Sequence, residues 1–177
     1  RYDIPINNIS INVAAAQLRS PEFASEFMAS LSEYGVSPHE IELEILESNN
    51  LEMDSVTVNN ITLLKENGVN FSLDDFGTGY SSLSYVQKLP LKRLKIAQEL
   101  IRDIDSSPRS LALVTAAIAI AKGLNLESIA EGVENTGVVK ILKDLGCDVV
   151  QGYVFARPMT ATDAKEYFLR SAKGKVS

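Results

Sequence analysis

The chain has 177 residues, 45% hydrophobic and 23% charged, the balance of a single globular domain, which excludes disordered and low-complexity classes. No apolar run approaches the ~18 residues that a membrane span requires, and Arg1-Tyr2-Asp3-Ile4-Pro5 does not resemble a signal peptide, so a cytoplasmic location is expected. With Lys+Arg 17 against Asp+Glu 23 the formal charge is −6, which would repel duplex nucleic acid, and no concentrated basic patch offsets it.

In chain order, residues 9–13 predict a first strand. Residues 23–34 carry Phe23, Phe27 and Leu31 at helical spacing. A second strand follows at 41–46. A helix at 56–67 carries Val56, Ile61 and Leu64 and stops at Gly68. Residues 70–74 and 93–96 read as the third and fourth strands. The helix at 112–122 is apolar nearly all round, which suits either deep packing or a subunit contact, and it ends at Gly123. The fifth strand spans 126–130, a helix at 138–145 is stopped by Gly146, and a sixth strand spans 149–154. Pro21, Pro38, Pro90, Pro108 and Pro158 all fall at element boundaries.

Strand–helix alternation predicts parallel βα units in an α/β fold. No strand runs into a G-x-G-x-x-G turn, which weighs against a dinucleotide-binding sheet. A full (βα)8 barrel takes ~250 residues. Six strands in 177 residues therefore read as a TIM-like barrel whose N-terminal strands are missing, with residues 1–177 a partial domain. The first and last strands are then expected to have unpaired edges.

Each predicted strand carries a polar residue toward its C-terminal end, where barrel active sites form. In order these are Asn12, Glu44, Asp74 with Asp75, Lys95, Glu131 and Gln151. Singly, each acid would pass for a helix cap; six in succession on one end are harder to dismiss. With Ile9, Ile11 and Val13 facing the helices, Ser10 and Asn12 point inward. The same alternation turns Glu42, Glu44, Leu46, Ser72, Asp74, Lys95 and Ala97 inward. With one cysteine, Cys147, and one histidine, His39, a metal site here would be built from oxygen donors, which suits Mg²⁺ or Mn²⁺. Paired ions are a common device for phosphodiester hydrolysis.

The most specific string is Asp74-Asp75-Phe76-Gly77-Thr78-Gly79-Tyr80-Ser81-Ser82-Leu83, in which adjacent carboxylates could share two metals. It stands with Ile11-Asn12-Val13, Gln17-Leu18, Leu43-Glu44-Ile45-Leu46-Glu47-Ser48, Leu94-Lys95-Ile96, Ala130-Glu131-Gly132-Val133-Glu134, Gly146-Cys147-Asp148, Gln151-Gly152-Tyr153 and Pro158-Met159. On these motifs, in this order, the chain resembles the EAL domains, bacterial phosphodiesterases and receptors for cyclic di-GMP. The resemblance implies a (βα)8 barrel that hydrolyses cyclic di-GMP to linear pGpG with two Mg²⁺ or Mn²⁺ ions. It implies that Asn12, Glu44 and Asp74 bind the first metal, and that Asp74, Asp75 and Glu131 serve the second. Lys95 would hold or polarise the attacking water, giving Lys95, Glu131 and Asp75 as the catalytic set. Gln151 and Glu134 would support the substrate, and Glu47 would pin the loop after Asp75, which couples to dimer contacts in such proteins. A homodimer and attached sensory or GGDEF-type domains are the partners implied.

Three departures bear on turnover. The glutamate of the Glu-Ala-Leu motif is absent from the 177 residues, Ala97 stands where the family usually has Asp, and Leu46 stands where it usually has Thr. The leading reading is a hydrolase domain. The alternative is a catalytically impaired domain acting as a cyclic di-GMP receptor or protein-interaction module.

Overall fold

The computed structural model describes residues 8–47, 51–79 and 86–172. Ser48 and Tyr80-Ser81-Ser82-Leu83 of the motifs quoted above lie outside the described residues, as does Arg1-Tyr2-Asp3-Ile4-Pro5. The elements run β1 (Ile9–Val13), α1 (Ala15–Leu18), α2 (Phe23–Glu33), a 3₁₀ turn (Pro38–Glu40), β2 (Ile41–Leu46), α3 (Ser55–Glu66) and β3 (Asn70–Phe76). They continue with β4 (Arg93–Ile96), α4 (Gln98–Ile101), α5 (Pro108–Gly123), β5 (Glu127–Ala130), α6 (Thr136–Asp144), β6 (Val149–Val150) and α7 (Ala161–Ala172).

Three of the helices begin where a side chain satisfies one of their first N–H groups. Asp54 accepts from the Thr57 amide at 2.7 Å, Ser107 from Ser110 at 3.2 Å and Asn135 from Val138 at 2.9 Å. Pro108 occupies the first turn of α5, where its missing N–H costs nothing. All six strands pair in parallel in sequence order, β1 to β6. This is the α/β, TIM-barrel-like fold expected from the strand–helix alternation. Among the described residues β1 and β6 are the end strands of that order.

The two sides of the sheet differ in chemistry. Outward residues build two apolar clusters. One packs Leu43, Ile45, Phe71 and Val13 against Leu31, Ile61 and Leu64. The other packs Leu73, Leu94, Ile96 and Ala130 against Val114, Ile118, Val138 and Leu142. Helix α5 thus packs deeply through Val114, Ala117, Ile118 and Ala121 while leaving Leu111 and Leu113 exposed. Between α3 and the β1–α2 connection, the buried Asn60 amide donates to the carbonyls of Leu18 (2.9 Å) and Ser20 (2.7 Å). It satisfies backbone that would otherwise be stranded. The inward side is polar: Glu42, Glu44, Ser72, Asp74 and Lys95 are all buried there.

Two strand boundaries and one packing expectation differ from the sequence reading. The third strand runs on to Phe76, beyond the expected 74, because its ladder to β4 resumes after a register shift between Leu73 and Phe76. The sixth is a strand only at Val149–Val150, not over 149–154. Gln151 still donates to Ala130 O (2.8 Å), but β5 ends there, and the chain bonds instead to Val133 in the following loop. Ile9 and Ile11, expected against helices, are 54% and 40% exposed, because β1 is an end strand with little packed over it. The short helices α1 and α4, and α7, were not foreseen.

The β5–β6 junction is tied by Asp148. Its Oδ2 accepts from the Ser128 amide (2.9 Å) and hydroxyl (2.7 Å), while the Asp148 amide donates to Ser128 Oγ (3.1 Å). The Ser128 hydroxyl, then its amide, hold the Asp148 carboxyl below the usual aspartate range. A carboxylate lowered on folding stabilises the fold above its unfolded pKa of about 4 and loses that contribution as pH falls through the folded value. Thermal melts of native protein and Asp148→Ala are therefore expected to differ most at neutral pH and to converge under acid. A gap that widens on acidification would contradict the assignment.

Candidate active site

The inward residues form two ionic layers. In the lower one, Arg93 on β4 pairs with Glu42 on β2 and Glu127 on β5, and Ser10 on β1 donates to Glu42 at 3.4 Å. One step up each strand, Lys95 Nζ lies 2.7 Å from Glu44 Oε1, 2.9 Å from Asp74 Oδ1 and 2.8 Å from Glu131 Oε1. Strands β2, β3, β4 and the end of β5 therefore meet at one ammonium. Burial opposes the charge on Lys95, but Glu131, Glu44 and Asp74 outweigh it and its pKa is pushed up.

A regular strand would send Asp74 and Asp75 to opposite faces. Here Leu73 pairs with Leu94 and Phe76 with Ile96, so β3 spends one more residue than β4 over the same stretch. The extra residue is a bulge, and Asp75 takes it up at φ +57°. Side chains with positive φ are uncommon outside glycine, although aspartate tolerates the conformation better than most. The result is that Asp75 joins Asp74 at the mouth while Phe76 returns to the outer core. One carboxylate oxygen from each of Asp74, Asp75 and Glu131 can lie within 4.8 Å of the others.

Crowding raises the proton affinity of the group. Burial, then the charges of Asp74 and Glu99, push the Asp75 carboxyl up. Burial also pushes Glu131 up, against the pull of Lys95. With all four acids ionised, Glu44, Asp74, Asp75 and Glu131 outnumber the single charge of Lys95. Moreover, Asp74 Oδ1 is buried without a hydrogen bond: the ammonium is near but off the bonding direction. An oxygen-only donor set with excess negative charge and an unsatisfied carboxylate oxygen fits a divalent cation.

The structure brings most of the sequence-predicted residues together. Asn12 sits opposite Glu44 across the β1–β2 ladder and is exposed. Glu47, just past β2, is buried, and its Oε2 accepts from the amides of Gly77 and Gly79, both at 2.9 Å. A Cβ at Gly79 would stand 3.2 Å from the Glu47 carboxyl carbon. Gln151 and Glu134 line a cavity of 340 Å³ with Asp75 and Glu131. Gln98, Glu99 and Tyr153 share that cavity; Tyr153 belongs to the Gln151-Gly152-Tyr153 motif, whereas Gln98 and Glu99, which no motif marks, lie just past the end of β4, where a mouth residue belongs. Gln151 also borders a cavity of 230 Å³ on the inner side of the sheet, with Glu42, Glu44, Arg93 and Lys95. Ala97, where the family usually carries Asp, is fully buried and leads into α4 without a side-chain cap.

A family model for the EAL domain matches residues 2–158, and the chain belongs to the EAL-domain family. It is 38% identical over 163 residues to the cyclic di-GMP phosphodiesterase NbdA of Pseudomonas aeruginosa, covering 92% of this chain and 21% of that protein. The EAL domain of Mycobacterium smegmatis DcpA superposes with a TM-score of 0.87 at 34% identity, over 96% of this chain and 75% of that one. Klebsiella pneumoniae BlrP1, in a manganese and cyclic di-GMP complex, superposes with a TM-score of 0.79 at 28% identity, over 87% of this chain and 40% of that one. The chain spans about a fifth of the length of the first curated relatives it matches.

The Glu47 contacts make a local prediction. In Glu47→Ala, amide hydrogen exchange at Gly77 and Gly79 is expected to accelerate by about tenfold or more, since removing a buried acceptor costs about 1–3 kcal/mol. Unchanged exchange at both glycines would mean that the loop is held by other contacts.

Proposed function

We propose that this domain hydrolyses cyclic di-GMP to linear pGpG, with two Mg²⁺ or Mn²⁺ ions, in a barrel completed by chain outside the 177 residues. The observation that carries the reading is the convergence of Asp74, Asp75 and Glu131 at the mouth, beside Lys95 and Glu44, in a chain of this family. Asn12, Glu44 and Asp74 would hold one ion, and Asp74, Asp75 and Glu131 would serve the other. When bound, the cations neutralise phosphate charge and lower the pKa of water. In the hydrolysis the water oxygen bonds to phosphorus, and the bond from phosphorus to one 3′ oxygen breaks. That oxygen leaves as a hydroxyl, and the 5′ phosphate stays on pGpG. Glu131, beside Lys95 at the mouth, accepts a proton from the water and returns it to the departing 3′ oxygen; Lys95 orients that water through its ammonium. Gln151 and Glu134 hold the nucleotide across the 340 Å³ cavity. Glu47 keeps the loop after Asp75 in place through Gly77 and Gly79. A homodimer, linkage to sensory or GGDEF-type domains and a cytoplasmic setting complete the reading. Among the described residues no helix is long and apolar enough to cross a membrane.

The second reading, a receptor that binds without hydrolysis, is favoured by one observation: Ala97 supplies no carboxylate where the family usually has one. In the full protein with Mn²⁺, chromatography is expected to show slow formation of pGpG, and Ala97→Asp to raise the rate. Lys95→Ala should lower kcat by about 10²-fold or more with a much smaller change in nucleotide binding. By calorimetry, Asp74→Asn should weaken Mn²⁺ binding far more than Asp103→Asn. Tight nucleotide binding with substrate intact after overnight incubation, in both native protein and Ala97→Asp, would leave the receptor.

A further inference from the structure

Lys95 has a second consequence that is independent of turnover. Its ammonium carries three N–H donors, and it faces three carboxylate oxygens, Glu44 Oε1, Asp74 Oδ1 and Glu131 Oε1, at 2.7, 2.9 and 2.8 Å. These carboxylates come from three different strands or strand ends, and all three are among the proposed metal ligands. Lys95 is 5% exposed, so water screens little of its charge. A dication entering among the same groups meets an ammonium already holding an oxygen of each, and repels it across a few ångströms of weakly screened space.

We infer that Lys95 is a built-in competitor for the metal ligands, a positioning cation that gathers Glu44, Asp74 and Glu131 and must withdraw from at least one of them as a divalent ion binds. This rests on the proposed metal site, but not on hydrolysis. Asp74 is the contact that yields first, because it is the one carboxylate proposed to serve both ions and, at 2.9 Å, makes the longest of the three contacts. The other two contacts tether the lysine beside the site, so the ammonium that has let go of Asp74 stays within reach of the attacking water. The competition also lowers the site's affinity for cations, since part of the electrostatic attraction of the acids is already satisfied by their own chain. Removing the charge reverses both effects: the ligands repel one another more strongly, and a cation gains more by binding between them.

Two measurements on the full protein test this. Calorimetry with Mn²⁺ alone, without nucleotide, is expected to show tighter binding in Lys95→Met than in native protein, by about tenfold. In the presence of a chelator the same variant should melt at lower temperature, and Mn²⁺ should raise its Tm more than it raises the native Tm. If Lys95→Met does not fold, Lys95→Gln, which keeps a donor to the carboxylates without the charge, serves in its place. The second measurement uses native protein labelled with ¹⁵N-lysine. Titration with diamagnetic Mg²⁺ should shift the Lys95 ζ-ammonium resonance, assigned by its loss in the variant, in step with metal occupancy. Weaker or equal Mn²⁺ affinity in the neutral variants, absence of binding in native and variants alike, or a Lys95 resonance that stays fixed through Mg²⁺ saturation would each overturn the inference. Absence of pGpG formation would not, because neither measurement reads turnover.

Discussion

Every strand from β2 to β5 contributes a charge to the inner face of the sheet, and burying those acids depends on the two cations, Lys95 and Arg93, placed among them. Isolated, a buried Glu44, Asp74 or Glu131 would be expensive. Gathered around Lys95 they tie β4 to both of its neighbours and, past β3, to β2, and Arg93 repeats the device one layer below with Glu42 and Glu127. Barrel interiors are more often filled with branched apolar side chains. Here the apolar cohesion lies outside, between sheet and helices, and the interior is held by ion pairs. Truncating one partner of a buried pair costs more than the pair itself contributes, because the remaining charge is left uncompensated. The inner face is therefore less tolerant of substitution than its exposure alone would suggest.

The bulge in β3 gives this arrangement its directionality. Without the extra residue between Leu73 and Phe76, Asp75 would turn toward the helices, into the cluster that packs Leu73, Phe76 and Leu94. A carboxylate there would have neither water nor cation. The left-handed backbone at Asp75 is the local strain, and the ladder on either side of the bulge maintains it. Glu47 adds to that support from the other side by fixing the backbone immediately downstream at Gly77 and Gly79.

Much of this was readable from sequence, for physical reasons. Strands β1, β2 and β4 have the predicted bounds because alternation and turn residues mark both ends. Glu44, Asp74, Lys95 and Glu131 were found together because parallel strands place their C-terminal residues at one mouth. The bulge escaped because a dihedral at one aspartate leaves no trace in composition. Helices α1 and α4 span four residues each, too short for a helical period to show. Arg93 belongs to none of the motifs that mark the mouth. Its bridge from Glu42 to Glu127 depends on which residues lie opposite one another across three strands, and that register exists only in the folded sheet.

The loop after β5 and the chain after β6 share more than a cavity wall. Gln151 O accepts from the Val133 amide at 3.1 Å, and Val133 O accepts from Val154 at 3.0 Å. Between these bonds the backbones touch: a Cβ on Gly152 would sit 2.1 Å from Val133 O. Glu131 and Glu134 flank Val133 on one side of the contact, and Gln151 precedes Gly152 on the other. The two segments are welded into a single mechanical piece, so the cavity between them does not widen by one wall sliding past the other. Whatever ligand enters must be accommodated by side-chain rotation or by movement of the opposite rim, formed by Asp75, Gln98 and Glu99. An insertion or deletion near Gly152 would break these bonds or displace the loop that carries Glu131, so the two stretches, far apart in sequence, respond to change as one.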